Sequence, residues 1–210
     1  MPFRDRSEAG KMLARQPEVR GLDDVVVVST PRGGVPVAIE IARVLNAPLD
    51  VMPVVDLSTP GKPEYVVGAV AENAIHVIDS QALAALGVTE DSLAQRVAEA
   101  TAQIARLSKI YRGDETALSV AGRRVLVVDD GSATAPALEA VAVALSRRNV
   151  ADILLATPLA PDPHVHGYSN ITEVHAAEEL AVIGLWYDDF AAPSDEVAAE
   201  IFREVVAAKR

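Results

Sequence analysis

The sequence predicts an α/β fold of three layers, α/β/α, around a mostly parallel sheet. Three observations carry that prediction. Short runs of apolar, largely β-branched residues recur at 25–29, 49–55, 125–128 and 153–157, each bounded by turn residues, as strands buried on both faces are. Stretches with apolar residues at helical spacing lie between them, and strands alternating with helices imply right-handed βαβ units. Two sharp turns, after Ser29 and after Val128, fall at the carboxyl ends of strands, where open α/β sheets bind ligands.

Each element follows in order. Residues 5–15 have the spacing of a short amphipathic helix, and Val25–Ser29 is the first strand. Thr30-Pro31-Arg32-Gly33-Gly34 is a turn, 37–45 a helix and 49–55 the second strand. Ser58–Pro63 is the most loop-like segment of the chain, rich in Pro, Gly, Ser and Thr. Segments 66–71 and 74–78 suit two short paired strands. A helical pattern covers 79–112, broken near Gly87, with Thr89 as a start signal for its second part. A strand at 125–128, a helix at 136–148 and a strand at 153–157 follow, then a turn at 158–163. Val174 and 180–183 suggest a last strand or two, and 195–208 a closing helix. No internal repeat and no low-complexity tail interrupts the 210 residues, which suit a single domain.

Composition narrows the chemistry. Half the residues are hydrophobic but only 4% are aromatic, so the core must be built from Ala, Val, Leu and Ile. The net charge of -11 repels nucleic acid and anionic lipid at long range. An anionic ligand therefore needs local backbone N–H groups, a few basic side chains or a metal. Without cysteine there is no disulfide, no thiol catalysis and no thiolate-bound metal. No apolar run reaches the roughly 20 residues of a membrane span, and the first residues lack the apolar stretch of a secretory signal. A cytoplasmic protein with no nucleic-acid or membrane partner is the expectation.

Two stretches could hold a ligand. In Val125–Ala137, VLVVDDGSATAPA, a strand delivers Asp129 and Asp130 to a small-residue loop and a helix start. Carboxylates there can accept hydrogen bonds from sugar hydroxyls or face a hard cation; equally, an aspartate can cap the next helix. Gly131, Ser132, Ala133 and Thr134 offer backbone N–H groups and a hydroxyl where the helix dipole favours phosphate, although an ordinary strand-to-helix loop reads the same way. In the second stretch, Gly33 and Gly34 allow close backbone approach, and Arg32 can make a forked pair with phosphate. Neither stretch is a dinucleotide fingerprint or a P-loop. His164 and His166 have a metal-compatible spacing but no evident third ligand, so solvated loop histidines are the favoured reading.

The combination resembles the type I phosphoribosyltransferases, and most closely a bacterial branch. The residues that carry the resemblance are Phe3-Arg4-Asp5-Arg6, Pro31–Pro36, the acidic pair with its Thr-containing loop, and Trp186-Tyr187-Asp188-Asp189-Phe190. The resemblance implies a core near 20–160 and a small hood from the N-terminal segment and about 160–195. It also implies binding of phosphoribosyl diphosphate (PRPP) with Mg2+, transfer of the phosphoribosyl group to a nucleobase-like acceptor, release of pyrophosphate, and a homodimer. By position, Asp129 and Asp130 would take the ribose hydroxyls and the metal bound through them. Gly131 to Ala137, including Ala135, would take the 5-phosphate, and Pro31, Arg32, Gly33 and Gly34 the pyrophosphate. Trp186 and Tyr187 would cover the acceptor, though Trp186 suits a core or interface anchor equally well.

Three positions depart from that pattern. Ala135, Pro136 and Ala137 stand where the branch has glycine and a terminal hydroxyl, removing donors that would each be worth about 1.5–3 kcal/mol against a charged group. Val55-Asp56 replaces a basic pair, with Lys62 the nearest candidate to compensate. The helical stretch ending at 108–113 carries less charge than the branch. A non-catalytic PRPP- or nucleotide-binding regulator or scaffold is the alternative function.

Overall fold

The computed structural model describes residues 2–59, 61–175 and 183–208. Its centre is a five-stranded parallel sheet built from β1 (Val25–Ser29), β2 (Leu49–Val51), β6 (Arg124–Val128), β7 (Asp152–Leu159) and β8 (Asn170–His175), in the order β2-β1-β6-β7-β8. The register is continuous, with Val25–Ser29 opposite Arg124–Val128 and Arg124–Val128 opposite Asp152–Ala156.

Strict alternation along these strands feeds two cores. Val25, Val27, Leu126, Val128, Leu154 and Ala156 face α3 (Gly34–Val44), α7 (Asp195–Ala207) and the end of α5 (Glu90–Arg112). Val26, Val28, Val125, Val127, Ile153 and Leu155 face α6 (Ala135–Ser146) and a second, smaller sheet. Burial on both faces is why each strand reads as an unbroken apolar run. The α/β expectation, with helices on both faces of a parallel sheet, therefore holds. α1 (Arg6–Leu13) packs on α3, close enough that a Cβ at Gly10 would lie 2.5 Å from the Val37 carbonyl oxygen.

The smaller sheet is antiparallel: β3 (Val54–Thr59), β4 (Lys62–Ala71) and β5 (Ile75–Ile78), in that order. Residues 49–55 are thus two strands rather than one. The Met52 N–H reaches the Ser29 carbonyl at the end of the parallel ladder, and Pro53, with no N–H, cannot extend it. The loop-like 58–63 stretch is largely strand, the tight reversal from Thr59 to Lys62 with Gly61 at φ +75°. Expected pairing of 66–71 with 74–78 is present, Ala71 opposite Ile75. The break at Gly87 is also present, between α4 (Ser80–Leu86) and α5, with Gly87 left-handed at φ +64°.

Two further differences concern ends. Strand β7 continues through Pro158 to Leu159, because the ladder to β8 resumes at Leu159 opposite His175. Of the strand expected at 180–183, residues 180–182 lie outside the described residues, and Ile183 opens a 3-10 turn, Ile183–Trp186. The short helix α2 (Pro17–Arg20) has no counterpart in the sequence reading; four residues are too few to show a period. The N-terminal segment joins the last part of the chain through Phe3 N–H to the Trp186 carbonyl (2.7 Å) and Asp188 N–H to the Phe3 carbonyl (2.8 Å). Among the described residues, no helix is long and apolar enough to cross a membrane.

Candidate ligand cleft

A cleft of about 340 Å³ opens at the carboxyl ends of β1 and β6, where such sheets bind ligands. Thr30, Pro31 and Arg32 form one side, Asp129, Ser132, Ala133 and Ala137 the floor, and Val55 and Asp56 of β3 the far wall; Gln103, Leu107 and Asp195 complete it. The two turns chosen from sequence thus meet at one place. Asp130, Gly33, Gly34, Gly131, Thr134, Ala135, Trp186 and Tyr187 do not line the cleft.

The backbone of the first turn is strained at Arg32, a non-glycine residue at φ +52°. Its N–H donates to the Tyr111 hydroxyl at 3.1 Å, which holds the turn from below. Burial is the main reason the Tyr111 phenol is pushed up to about 12, so it stays neutral and available as an acceptor. The Arg32 side chain is exposed and is the cation of the described lining. Gly33 and Gly34 have a steric role. A Cβ on Gly33 would sit 1.9 Å from Asp130 Oδ2, and one on Gly34 would sit 2.5 Å from Thr30 Oγ1. The glycine pair read as making room for a ligand makes room for the protein's own polar groups.

Asp129 and Asp130 are almost completely buried. Asp129 Oδ1 accepts from the Thr30 hydroxyl (2.6 Å), and Oδ2 from the N–H groups of Gly131 (2.7 Å) and Ala133 (3.0 Å). Asp130 Oδ1 accepts from Ser132 N–H (3.1 Å) and its hydroxyl (2.6 Å), and Oδ2 from Arg6 Nε (2.7 Å). Burial first, then the adjacent Asp130 charge, push the Asp129 carboxyl up to about 6, against the three donors that favour its ionised form. Three amides of the expected phosphate loop are therefore spent on the loop's own aspartates.

This bears on Mg2+, which the resemblance implies. All four carboxylate oxygens already accept protein donors and both side chains are almost completely buried, so neither presents an open oxygen to a metal. Among the described residues no group of three His, Cys, Asp or Glu side chains could hold a metal ion. His164 pairs with Asp162 at 2.9 Å on an exposed turn.

Thr134 works at the rim. Its hydroxyl caps α6 by accepting from Ala137 N–H (3.2 Å) and donates to Asp56 Oδ1 (2.7 Å). Partial desolvation by the cleft walls raises the Asp56 carboxyl, the Thr134 bond acting against it, although the residue reaches solvent at the mouth. Lys62 does not line the cleft; its ammonium lies over the Tyr65 ring, 5.9 Å from the centroid.

The aromatic pair lies behind the cleft. Tyr187 is buried, packs on Phe3 and Phe190, and donates its hydroxyl to the Asp130 carbonyl (2.8 Å). Trp186 packs on His175, ring centroids 5.2 Å apart. Arg6, given no role from sequence beyond its motif, is the surprise of the site; its burial could be found only from contacts 124 positions apart. Gln103 and Asp195 were also missed, because nothing local distinguishes a cleft-facing residue on a polar helix surface.

Residues 11–165 match the phosphoribosyl transferase domain model. The chain belongs to the phosphoribosyl transferase domain family. Within that family it is 34% identical over 201 residues to proteins named "Putative phosphoribosyl transferase" in Mycobacterium tuberculosis, strains CDC 1551 / Oshkosh and H37Rv, covering 92% of this chain. It spans about half the length, 45%, of those relatives. The crystal structure of TT1426 from Thermus thermophilus is similar along 97% of this chain and 99% of its own, at 32% identity and TM-score 0.78.

Proposed function

We propose that the cleft binds PRPP and that the protein transfers its phosphoribosyl group to a nitrogen nucleophile, a nucleobase or a similar acceptor. The observation that carries this reading is the meeting of the Pro31–Arg32 turn, Asp129, and Ser132, Ala133 and Ala137 around one cleft at the carboxyl edge of the sheet, in a chain of this family. In the reaction a bond forms between the acceptor nitrogen and the anomeric carbon. The bond from that carbon to pyrophosphate breaks, its electron pair leaves with pyrophosphate, and the nitrogen's surplus proton passes to solvent.

Positive charge develops on the ribose ring and negative charge on the leaving group, so positioned charges supply the catalysis. Arg32 is assigned the leaving group, as a forked donor. Asp129, the member of the acidic pair that lines the cleft, is assigned the ribose. The start of α6 is assigned the 5-phosphate through its dipole and the Ala135 N–H, since Pro136 has no N–H and those of Ala137 and Leu138 go to Thr134. Tyr187 is assigned support of Asp130 rather than contact with the acceptor, and Trp186 the packing of its own segment on His175. Mg2+ receives no protein ligand in this reading.

A second reading, a binding protein without turnover, is favoured by one feature. Both carboxylates, three loop amides and the Thr134 hydroxyl already have protein partners, so PRPP must displace some of them. Isothermal titration with PRPP and Mg2+ is the first test. Micromolar binding that Asp129→Asn abolishes supports the ligand assignment, and no binding at millimolar PRPP refutes it. Pyrophosphate release across a panel of bases then decides between transfer and binding alone.

A further inference from the structure

We infer that Arg6 is a positioning residue for the cleft. Its guanidinium draws the Asp130 carboxylate beneath Gly33, so that the loop after β6 winds on Asp130 while Asp129 faces the ligand. The inference rests on the cleft being the ligand site, and it gives a role to the two terminal motifs that the proposed reaction leaves without one.

The contacts form a closed set. Arg6 Nε meets Asp130 Oδ2 at 2.7 Å, with 6% and 1% of the two side chains exposed. A second guanidinium nitrogen donates to the Ala191 carbonyl at 3.1 Å. The guanidinium carbon lies 4.4 Å from the centroid of the Phe190 ring and 5.8 Å from that of Tyr187. Tyr187 returns to the same residue through the Asp130 carbonyl. The absent Cβ of Gly33 leaves the space the carboxylate occupies, 1.9 Å from Oδ2 and 3.0 Å from Arg6 Nε. Three separate segments of the chain, at Arg6, Gly33 and Tyr187–Ala191, thus converge around one aspartate that does not line the cleft.

Downstream, Asp130 Oδ1 holds both the N–H and the hydroxyl of Ser132, and Ser132 and Ala133 line the cleft floor. Without the guanidinium, Asp130 would be a buried carboxylate with no charge partner, next in the chain to a second buried carboxylate. If the Asp130 carboxylate swings out toward water, its bonds to the Ser132 N–H and hydroxyl break. A buried ion pair is often no more stabilising than apolar residues of its size. What it does supply is a single geometry, and a planar forked cation held on two sides by ring and carbonyl supplies it better than lysine.

The test uses the whole chain with Arg6→Gln and Arg6→Lys, working well below each variant's melting temperature. PRPP affinity with Mg2+ is measured by titration, and amide exchange at Gly131, Ser132 and Ala133 by mass spectrometry or NMR. For Arg6→Gln we expect roughly tenfold weaker PRPP binding and roughly tenfold faster exchange at these amides than in wild type, with the β1 and β6 core unchanged, as for loss of a charged hydrogen bond. Arg6→Lys should fall between wild type and Arg6→Gln in both. A folded Arg6→Gln with wild-type affinity overturns the inference, whatever its melting temperature. If wild-type protein itself binds no PRPP, the ligand reading fails separately. Loop exchange then decides alone: unchanged exchange overturns the positioning role, and selective acceleration upholds it.

Discussion

Asp129 and Asp130 are adjacent in the chain and opposite in circumstance. Asp130 is matched by a buried guanidinium, whereas Asp129 has only neutral donors and is held up to about 6 by burial and its neighbour's charge. A carboxyl whose folded value is raised keeps its proton in the folded state after the unfolded chain has lost it. Its contribution is therefore full below about pH 4, is lost as pH rises to about 6, and is level above that. Asp129→Asn removes this dependence. The unfolding free energy of the variant relative to wild type, from urea titrations, should accordingly move in the variant's favour between about pH 4 and pH 7. A difference that stays flat would mean that Asp129 is ionised throughout. At this scale the sequence offered the acidic pair and the glycines by type. Asp129 lines the cleft and Asp130 pairs with Arg6, and no local pattern contains that division.

The loop and helix that follow β6 show how an element's chemistry can be legible while its state is not. Thr134 was read as a phosphate donor, and it is the N-cap of α6, bonded also to Asp56 across the cleft. Thr134→Ala should cost about 1 kcal/mol in chemical denaturation, the usual loss of a cap, and Thr134→Ser should recover most of it. The helix starts at Ala135 with Pro136 in its first turn, where a missing N–H costs the helix nothing. The residues that depart from the branch pattern are thus good helix-start residues. The second strand makes a similar point: Pro53 sits inside an apolar run, yet it is where the chain leaves the parallel sheet for the antiparallel one. Composition shows the breaker; the Ser29 carbonyl that takes the last ladder bond comes from another strand.

Over the whole molecule, buried charge ties the two sheets together. Arg112, at the end of α5, bonds Asp50 on β2 at 2.7 Å, and also Glu72 in the turn between β4 and β5 and the Val51 carbonyl. Asp50 in turn accepts the Leu118 N–H (2.8 Å). Removing the guanidinium leaves the buried Asp50 and the half-buried Glu72 without their charge partner, so Arg112→Met should lower unfolding stability by about 3–5 kcal/mol. Equilibrium unfolding in urea would show it, and a loss below about 1 kcal/mol would mean that the network is solvated.

What the sequence by itself determined was the sheet, its carboxyl-end turns and the family. Those depend on local composition: apolar runs buried on both faces, glycine and proline at turns, motifs in a fixed order. The tertiary structure decided how the charges are shared out. Arg6 goes to Asp130, Thr134 to Asp56, Arg112 to Asp50 and Glu72, and the Tyr187 hydroxyl to the Asp130 carbonyl. The reason is physical. A buried charge must find its partner wherever packing brings one within hydrogen-bond reach, and these partners lie from 40 to 124 positions away along the chain.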